Sequence, residues 1–218
     1  MKSKLIFPLF FVCLIFSNNI KAQTSTHSVK ITTDSGVIIV KLYDETPLHR
    51  DNFLKLVREG FYDSLMFHRV IPQFMIQGGD PLSKNAPAGT MLGNGGGDMQ
   101  RIPAEFNSRL IHKKGALCAA RDNNPEKASS ACQFYIVQGK PISEDELNNH
   151  DRNRSVKYTP EQRTAYKTLG GTPFLDQNYT VFGEIESGSE VIDKIASMKQ
   201  DGSNRPYTDI RMKMEVIN

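Results

Sequence analysis

Short runs of alternating hydrophobic and polar residues recur along this chain and predict a protein that consists mainly of β-strands. The first two runs, 29–33 and 37–43, are rich in Val, Ile and Thr and are separated by Asp34-Ser35-Gly36. Glycine in so short a connection favours a tight turn, so the two runs are predicted to form an antiparallel hairpin. Further strands are predicted at 66–71, 74–77, 104–107, 116–120, 133–137, 179–185 and 210–217.

Apolar residues with helical spacing occur in two places outside these strands. Thr46-Pro47 has the form of an N-cap followed by proline in the first helical turn, and an apolar stripe then continues until Gly60. A second stripe follows Ser189, which is predicted to be the N-cap of that helix. Many short strands with two amphipathic helices are typical of an antiparallel barrel whose openings are covered by helices.

Two long segments interrupt the regular pattern. The first, 82–99, includes Gly93-Asn94-Gly95-Gly96-Gly97, but no Gly-Lys-Ser or Gly-Lys-Thr follows, so a phosphate-binding loop is excluded and a mobile surface loop is predicted. The second, 139–171, is charged and poor in aliphatic residues, and its Thr159-Pro160 predicts one helix that ends near residue 169. We interpret 139–171 as an insertion and leave three alternatives for its role. Its helix extends a binding groove, or it binds a client protein, or the insertion is a solvated excursion without a role.

The first 22 residues differ in kind from the rest of the chain. Lys2 and Lys4 precede the apolar run 5–16, and a polar segment then ends in Ile20-Lys21-Ala22, which is the pattern of a cleavable secretory signal. The run is shorter than the roughly 20 apolar residues of a spanning helix. An N-terminal anchor that is retained is the alternative.

Cleavage after residue 22 leaves 23–27 as a predicted disordered lead-in and 28–218 as the folded domain, without stable membrane insertion. The expected location is the periplasm, with secretion or N-terminal tethering to a membrane as the alternatives. The removed segment contains three of the 27 Lys and Arg residues and no acidic residue, so the remainder has 24 basic and 24 acidic residues. Without a basic excess there is no electrostatic case for nucleic acid as a partner.

The cysteines and histidines do not form a recognisable metal site. After signal cleavage Cys118 and Cys132 remain, either as a disulfide, which an oxidising compartment allows, or as buried free thiols, and their spacing does not decide between the two. The five histidines are scattered, and no His-Glu-x-x-His or paired Cys-x-x-Cys motif occurs. We therefore expect neither a metal nor another cofactor.

The stretch 67–81, FHRVIPQFMIQGGDP, combines one cation and one amide with many apolar residues. Side chains alternate between faces along a strand, so Arg69 is predicted to share a face with Phe67, and Met75 with Gln77. The cation and the amide could thus meet beside apolar walls. The alternative is a surface arginine and glutamine on an ordinary core strand.

This stretch and three later motifs resemble the cyclophilin family of peptidyl-prolyl cis-trans isomerases. The resemblance covers 29–217, interrupted by the insertion 139–171 and by a lengthened loop at 82–97. It implies a mainly β fold, a closed eight-stranded antiparallel β-barrel capped by two α-helices, with one inserted helical excursion. The motifs occur in the family's order and are Phe67-His68-Arg69-Val70-Ile71-Pro72, Phe74-Met75-Ile76-Gln77-Gly78-Gly79-Asp80, Ile102-Pro103-Ala104-Glu105-Phe106, Gln133-Phe134-Tyr135-Ile136 and Val181-Phe182-Gly183.

The resemblance also implies the site. Arg69 is similar to the family donor that faces the prolyl nitrogen, and Gln77 to the amide that holds the substrate backbone, so these two are the expected catalytic residues. The adjoining groove is expected to include Gln133, Ala120 and the backbone of Arg121. The slot for the proline ring is expected to consist of Phe74, Met75, Tyr135 and Leu175, with Phe174 and Tyr179 at further substrate-binding positions.

Three of these residues depart from those that are common in the family. Phe174 stands where many eukaryotic members have Trp, Tyr179 where they have His, and Tyr135 where Phe is usual. Bacterial relatives often show such changes, so the resemblance still implies an exported, cofactor-independent isomerase. It is expected to act as a monomer on proline-containing peptides and on unfolded or folding proteins. The alternative from another class is a binding module that uses the same groove without catalysis.

Overall fold

The computed structural model of the protein describes residues 27–154 and 156–217. The predicted signal, 1–22, and residues 23–26 of the predicted lead-in lie outside the described residues. His27, the last residue of that lead-in, extends the first hairpin, because its carbonyl oxygen accepts a hydrogen bond from Leu42 N at 2.8 Å. The first strand, Ser28–Thr33, begins one residue before the predicted run 29–33.

Eight strands and four helices lie within the described residues, and short strands dominate, as the alternating pattern predicts. Two 3₁₀ helices, Pro81–Ser83 and Pro173–Leu175, connect longer elements. In this part of the chain, no helix combines the length and the apolar character that are needed to cross a membrane. The elements are β1 (Ser28–Thr33), β2 (Gly36–Leu42), α1 (Pro47–Arg58), β3 (Phe67–Ile71), β4 (Met75–Gly78), β5 (Ala116–Ala119), β6 (Phe134–Val137), α2 (Glu144–Arg154), α3 (Pro160–Thr168), β7 (Val181–Ser187), α4 (Ser189–Ala196) and β8 (Met212–Ile217).

All eight strands belong to one antiparallel sheet that curls into a half-barrel. Their order across the sheet is β3-β4-β6-β5-β7-β2-β1-β8, so β3 and β8 are the edge strands. Beside these strands, Met66 and Arg211 form an isolated antiparallel bridge, and Phe67 N donates to Ile210 O at 3.0 Å. The predicted eight-stranded antiparallel architecture is confirmed, whereas no ladder joins β3 to β8 among the described residues.

The strand β6 carries buried side chains on both faces of the sheet. Phe134 and Ile136 lie in the main core, together with apolar residues of α1 and α4. Tyr135 and Val137 point the other way and lie in a second apolar cluster. Helix α1 contacts β7 and β8, and α4 contacts β2, β3 and β4. Helices α1 and α4 thus pack against the sheet and contribute to the main core, and the second cluster forms the floor of the candidate site.

Helix α1 begins where the sequence predicts, but another residue caps it. Thr46 occupies the N-cap position without making a side-chain cap hydrogen bond. Instead, the Glu105 carboxylate accepts hydrogen bonds from Leu48 N and His49 N, each at 3.0 Å, and lies 2.6 Å from His49 Nδ1. The strand predicted at 104–107 is therefore wrong: this segment is irregular, and its acidic side chain satisfies the first turn of a helix.

Helix α4 includes Ser189 as its first residue, so the prediction that Ser189 is the N-cap is wrong. Gly188 occupies that position with a φ of +92°, and a Cβ atom there would lie 2.4 Å from Val37 O of β2. Glycine permits both this backbone conformation and this close approach. The apolar stripe predicted for the helix is buried and includes Val191, Ile192 and Ile195.

The insertion contains two helices where the sequence predicts one. Helix α3 has the predicted start, with a capping box between Thr159 and Gln162. The sequence of α2, EDELNNHDRNR, has one apolar residue, Leu147, so it lacks the apolar stripe by which a helix is recognised. Both helices contribute to a separate small core, which means that the insertion is a packed unit. The buried residues of this core are Ile111, Ile142, Leu147, Tyr158 and Tyr166.

Both cysteines in the described part of the chain are buried free thiols, which decides between the two alternatives. Cys132 belongs to the main core and Cys118 to the second cluster, so their side chains lie in different apolar environments. Within the same residues, no group of three or more His, Cys, Asp or Glu side chains is arranged to hold a metal ion.

Candidate active site

A row of three side chains crosses the face of the sheet that points away from the main core. Strand pairing places Arg69 of β3 opposite Gln77 of β4, and Gln77 opposite Tyr135 of β6. Directly opposed residues in antiparallel strands point to the same face, so their side chains are neighbours. The sheet therefore brings a cation, an amide and a phenol ring together from three separate strands.

A β-bulge at the start of β3 determines which side chains accompany Arg69. The register shifts between Phe67 and Arg69, so His68 is the extra residue. Phe67 consequently points into the main core, and the prediction that it shares a face with Arg69 is wrong. The prediction that Met75 shares a face with Gln77 is confirmed, because both side chains line the same cavity.

The polar side chains of the site form a continuous chain of hydrogen bonds. Arg69 Nη1 donates to Gln77 Oε1 at 3.0 Å, and Gln77 Nε2 donates to Gln133 Oε1 at 3.1 Å. Gln133 Nε2 in turn donates to the carbonyl oxygens of Gly93 and Gly95, both at 3.0 Å. Each amide is held at both its oxygen and its nitrogen, so the chain fixes the orientation of the guanidinium.

Burial lowers the pKa of Arg69 and also the pKa of its sequence neighbour His68. It lowers the pKa of the Arg69 guanidinium, which nevertheless stays protonated because the usual pKa of arginine exceeds about 12. Burial also lowers the pKa of His68 to about 4, against the opposing effect of the Asp80 carboxylate. His68 is therefore neutral at pH 7 and adds no second positive charge next to Arg69.

A cavity of about 310 Å³ lies beside Arg69 and Gln77. This volume falls within the range of pockets that bind small ligands, and most of the walls are apolar or aromatic. The predicted site residues that line it are Arg69, Phe74, Met75, Gln77, Ala120, Arg121, Tyr135, Leu175 and Tyr179. Residues that the sequence did not predict here are His68, Leu92, Gly93 and Asn94.

Aromatic contacts hold the walls of this cavity in place. The rings of Tyr135 and Tyr179 meet edge to face with their centroids 6.1 Å apart, and the Arg121 guanidinium lies 4.6 Å from the centroid of Tyr179. Phe174, which is predicted at a further substrate-binding position, lies outside the lining of this cavity. It packs against Phe74 at 5.6 Å between centroids and is 43% exposed, which places it at the rim.

A second cavity, of about 370 Å³, adjoins the first one. The two share Gln77, Gly93, Asn94, Ala120 and Arg121, and Gln133 lines the second, as predicted for the groove. The continuous lining means that an extended peptide could occupy both cavities at once. The remaining lining residues of the second cavity are 95–97, Met99, Arg101, Asp122 and Ser130.

The loop 82–99 forms a wall of both cavities, a role that the sequence did not predict for it. Asp80 accepts a hydrogen bond from Gly93 N, and Arg205 Nη1 donates to Thr90 O at 2.9 Å. A Cβ atom on Gly95 would lie 2.0 Å from Asp80 Oδ1, so this run needs glycine to pack so closely. The glycine-rich run 93–97 is the sequence feature that could have indicated this close packing of the loop.

Comparison with known proteins gives one consistent assignment. The family model described as cyclophilin type peptidyl-prolyl cis-trans isomerase/CLD matches residues 28–216. A Staphylococcus haemolyticus protein that is provisionally named a peptidyl-prolyl cis-trans isomerase is 33% identical over 193 residues, which cover 88% of this chain and 91% of that protein. A Streptococcus pyogenes serotype M6 protein, provisionally named a bifunctional phosphatase/peptidyl-prolyl cis-trans isomerase, is 37% identical over 187 residues, but this chain matches 37% of its length.

Solved structures agree with this assignment at the level of the fold. A cyclophilin type peptidyl-prolyl cis-trans isomerase of Cryptosporidium parvum has a TM-score of 0.64 at 22% identity and covers 88% of this chain and 98% of its own. The same protein, solved in the presence of the dipeptide Ala-Pro, has a TM-score of 0.63 and covers 88% and 99%. Because the family model and a relative more than 30% identical both cover most of the chain, the protein belongs to the cyclophilin-type peptidyl-prolyl cis-trans isomerase family.

Proposed function

We propose that this isomerase accelerates rotation about X-Pro bonds by donating a hydrogen bond from Arg69 to the prolyl nitrogen. The barrier to rotation, on the order of 18–20 kcal/mol, reflects the double-bond character of the C–N bond. In the twisted transition state the lone pair is localised on nitrogen, so a donor aimed at it stabilises the transition state more than the planar amide. No covalent bond breaks, and the reaction requires no cofactor.

The observation that carries this proposal is the hydrogen-bonded chain beside the apolar cavity. Gln77 and Gln133 hold the guanidinium of Arg69 in one orientation before a substrate binds. Arginine suits the role because it stays charged and presents a rigid fork of donors. A donor that is oriented in advance needs no reorganisation when the amide twists, which is the condition for effective electrostatic catalysis.

The proposed substrates are proline-containing peptides and unfolded or folding proteins. The presence of Ala-Pro in a solved structure of a relative supports this substrate class. The proline ring is assigned to the first cavity and the preceding residues of the peptide to the second, where Gln77 would hold their backbone. The proposed active species is a single chain, since one chain lines both cavities. The slot is assigned to Phe74, Met75, Tyr135 and Leu175, the rim to Phe174 and Tyr179, and the groove to Ala120, Arg121 and Gln133.

The proposed setting is outside the cytoplasm, with the periplasm as the compartment and protein folding as the task. The support is the sequence pattern of 1–22, whose removal leaves the domain 28–218. N-terminal sequencing of the protein recovered from an exporting host tests this part. We expect a mature chain that starts near residue 23, and an intact Met1 would contradict it.

The proposed architecture of the domain is a barrel that closes between β3 and β8 and is capped by α1 and α4. Its support is the Met66–Arg211 bridge between the two edges and the burial of both helices against the main core. The insertion 139–171 lies outside this barrel, on its own small core.

A protease-coupled assay with an X-Pro peptide tests the function, with the wild-type domain compared with the uncatalysed reaction. Acceleration that disappears in Arg69→Ala supports the enzyme. Peptide binding without acceleration favours the alternative, a binding module that uses the same groove. The exposed Arg109→Ala serves as a control for the loss of one arginine, because the Arg109 side chain is 74% exposed and pairs with Glu45 at 3.6 Å.

A further inference from the structure

A buried chain of hydrogen bonds starts at the wall of the proline slot and leads away from it. The Tyr135 hydroxyl lies 3.0 Å from His112 Nε2, and His112 Nδ1 lies 2.7 Å from Asp176 Oδ1. The same carboxylate oxygen accepts from His112 N at 2.9 Å. Because a carboxylate oxygen only accepts, His112 Nδ1 is the donor, and Nε2 is left to pair with the hydroxyl of Tyr135.

The other end of this chain lies in the insertion. Asp176 Oδ2 accepts hydrogen bonds from Tyr158 at 2.8 Å and from Tyr166 of α3 at 2.5 Å. His112 and Tyr166 are fully buried and Asp176 is 2% exposed, so solvent does not compete for these bonds. Burial and the Asp176 carboxylate raise the pKa of Tyr166, which keeps its hydroxyl protonated as a donor. Four donors thus compensate one buried carboxylate.

Asp176 is placed to act on two walls of the slot together. It directly follows Leu175, which lines the cavity at the end of the 3₁₀ helix Pro173–Leu175. Through His112 it also reaches Tyr135, whose ring stacks on the His112 ring at 6.1 Å and 14°. A phenol ring whose hydroxyl oxygen is held by a buried hydrogen bond keeps that end in a fixed position, so the chain restrains this wall of the slot.

We propose that the insertion positions the proline slot through this chain, with Tyr166, Asp176 and His112 as positioning residues for Tyr135. The inference rests on the proposed role of Tyr135 in holding the proline ring. The insertion accordingly supports the active site from behind the slot. Its Tyr158 and Tyr166 affect the reaction through Asp176, without contact with the substrate. The hydroxyl at position 135 joins the insertion to the slot through side chains, and Leu175 joins them through the backbone.

A double-mutant cycle with Tyr166→Phe and Tyr135→Phe tests the connection. Tyr166→Phe keeps the ring and removes one donor to Asp176. We expect kcat/KM for an X-Pro peptide to fall about fivefold, near the lower end of measured couplings between sites, and mainly through a higher KM. In the Tyr135→Phe background the same change should have a smaller effect, since only the link through Leu175 to the slot remains.

Tyr62→Phe is the matched control. It also removes the hydroxyl of a fully buried tyrosine, which donates to Cys132 O at 3.2 Å, but it leaves the chain from Asp176 to Tyr135 intact. We expect a comparable drop in the unfolding midpoint and an unchanged kcat/KM. An equal loss of activity from Tyr166→Phe in both backgrounds would overturn the inference, because a purely structural role of the insertion gives that result.

The ¹³Cζ chemical shift of Tyr135, measured by NMR on selectively labelled tyrosine, gives a readout that does not depend on activity, because this carbon carries the hydroxyl. We expect Tyr166→Phe to change this shift and Tyr62→Phe to leave it unchanged. An active enzyme whose Tyr135 Cζ shift does not respond to Tyr166→Phe would overturn the inference. A wild-type domain that lacks isomerase activity would overturn the proposed function instead, and the chemical shifts would still show whether the connection exists.

Discussion

The chemistry of the site depends on how a single guanidinium is held. Arg69 touches Gln77, and Gln77 touches Gln133, so a change in any of the three amide or guanidinium groups alters the direction of the proposed donor. His68 sits beside Arg69 in a buried and neutral state. Because His68 is neutral, Arg69 carries the single charge of this dipeptide. The lowered pKa of His68 also makes the free energy of unfolding depend on pH.

Replacement of His68 by Leu should flatten the loss of stability in acid. The folded state holds the pKa of His68 at about 4, below the usual value of 6.5, so the unfolded chain binds more protons between these values. Stability from this residue is complete above pH 6.5 and is lost as the pH falls towards 4. Between pH 7 and 4.5, wild type should lose about 2 kcal/mol more of its free energy of unfolding than the variant does.

Urea denaturation at several pH values measures this difference. All other titrating groups are common to both proteins, so their contributions cancel in the comparison. Parallel curves for wild type and His68→Leu would show that folding does not lower the pKa of this histidine, which would contradict its burial in a neutral state.

The sequence predicted most of the residues that line the first cavity, and the exceptions have physical reasons. Arg69, Gln77 and Tyr135 were predicted because they belong to motifs, and strand pairing then brings them together. The reversal of Phe67 could not be predicted, because one extra residue in a strand leaves no mark in the alternating pattern. The roles of His112 and Asp176 depend on contacts between distant segments, which no local pattern encodes.

At the scale of elements, the start of α1 shows how a distant segment can replace a local cap. The Glu105 carboxylate accepts from two backbone N–H groups of the first turn and from the His49 ring, whose Nε2 lies 2.9 Å from Ser129 Oγ. The link joins α1 to the segment after the loop 82–99. It places an acidic group at the positive end of the helix, where the backbone N–H groups lack partners.

Glu105→Ala should therefore destabilise the protein far more than a change at the N-cap residue. It leaves the buried His49 ring and two backbone donors without their acceptor, and we expect a loss of about 2–4 kcal/mol. Thr46→Val is the matched control: the buried Thr46 hydroxyl has no hydrogen-bond partner among the described residues, so its removal should cost less than about 0.5 kcal/mol.

Chemical denaturation of the two variants measures both effects under the same conditions. A large loss in Thr46→Val with little change in Glu105→Ala would reverse the assignment of the cap.

Elements with a strong pattern were predicted to within a few residues, and the failures lie where the pattern is weak. Helix α3 has a capping box and an apolar face, whereas α2 has one apolar residue in eleven. The segment 104–107 has the composition of a strand, but its Glu105 side chain accepts hydrogen bonds from the first turn of α1. Gly188 replaces the predicted cap of α4 because the chain passes too close to β2 for a side chain.

At the scale of the whole molecule, the insertion is a packed part of the domain and not a loop excursion. Its small core includes Ile111, which precedes β5, and Ile142 N donates to Tyr166 O at 3.0 Å. Its two buried tyrosines satisfy Asp176 below the slot. The interpretation of 139–171 as a solvated excursion without a role therefore conflicts with its packing.

Replacement of 144–168 by a short Gly-Ser linker should lower the free energy of unfolding by at least about 3 kcal/mol, because two hydrogen bonds to a buried carboxylate are lost. Loss of the apolar contacts of Ile111 adds to this. The double substitution Glu144→Gln and Lys167→Gln removes an exposed ion pair of the same segment and should change stability little. Thermal unfolding compares the three proteins, and equal midpoints would restore the interpretation as an excursion.

In the proposed catalysis, Arg69 is the donor that stabilises the twisted amide. NMR exchange spectroscopy on an Ala-Pro peptide tests this most directly, because it reads binding and cis-trans exchange in one sample. Uncatalysed exchange takes tens to hundreds of seconds. We predict that wild type accelerates it by orders of magnitude, that Arg69→Lys retains a small part of the effect, and that Arg69→Ala still binds the peptide but leaves exchange at the uncatalysed rate. Exchange in the presence of folded Arg69→Ala that is as fast as with wild type would contradict the account.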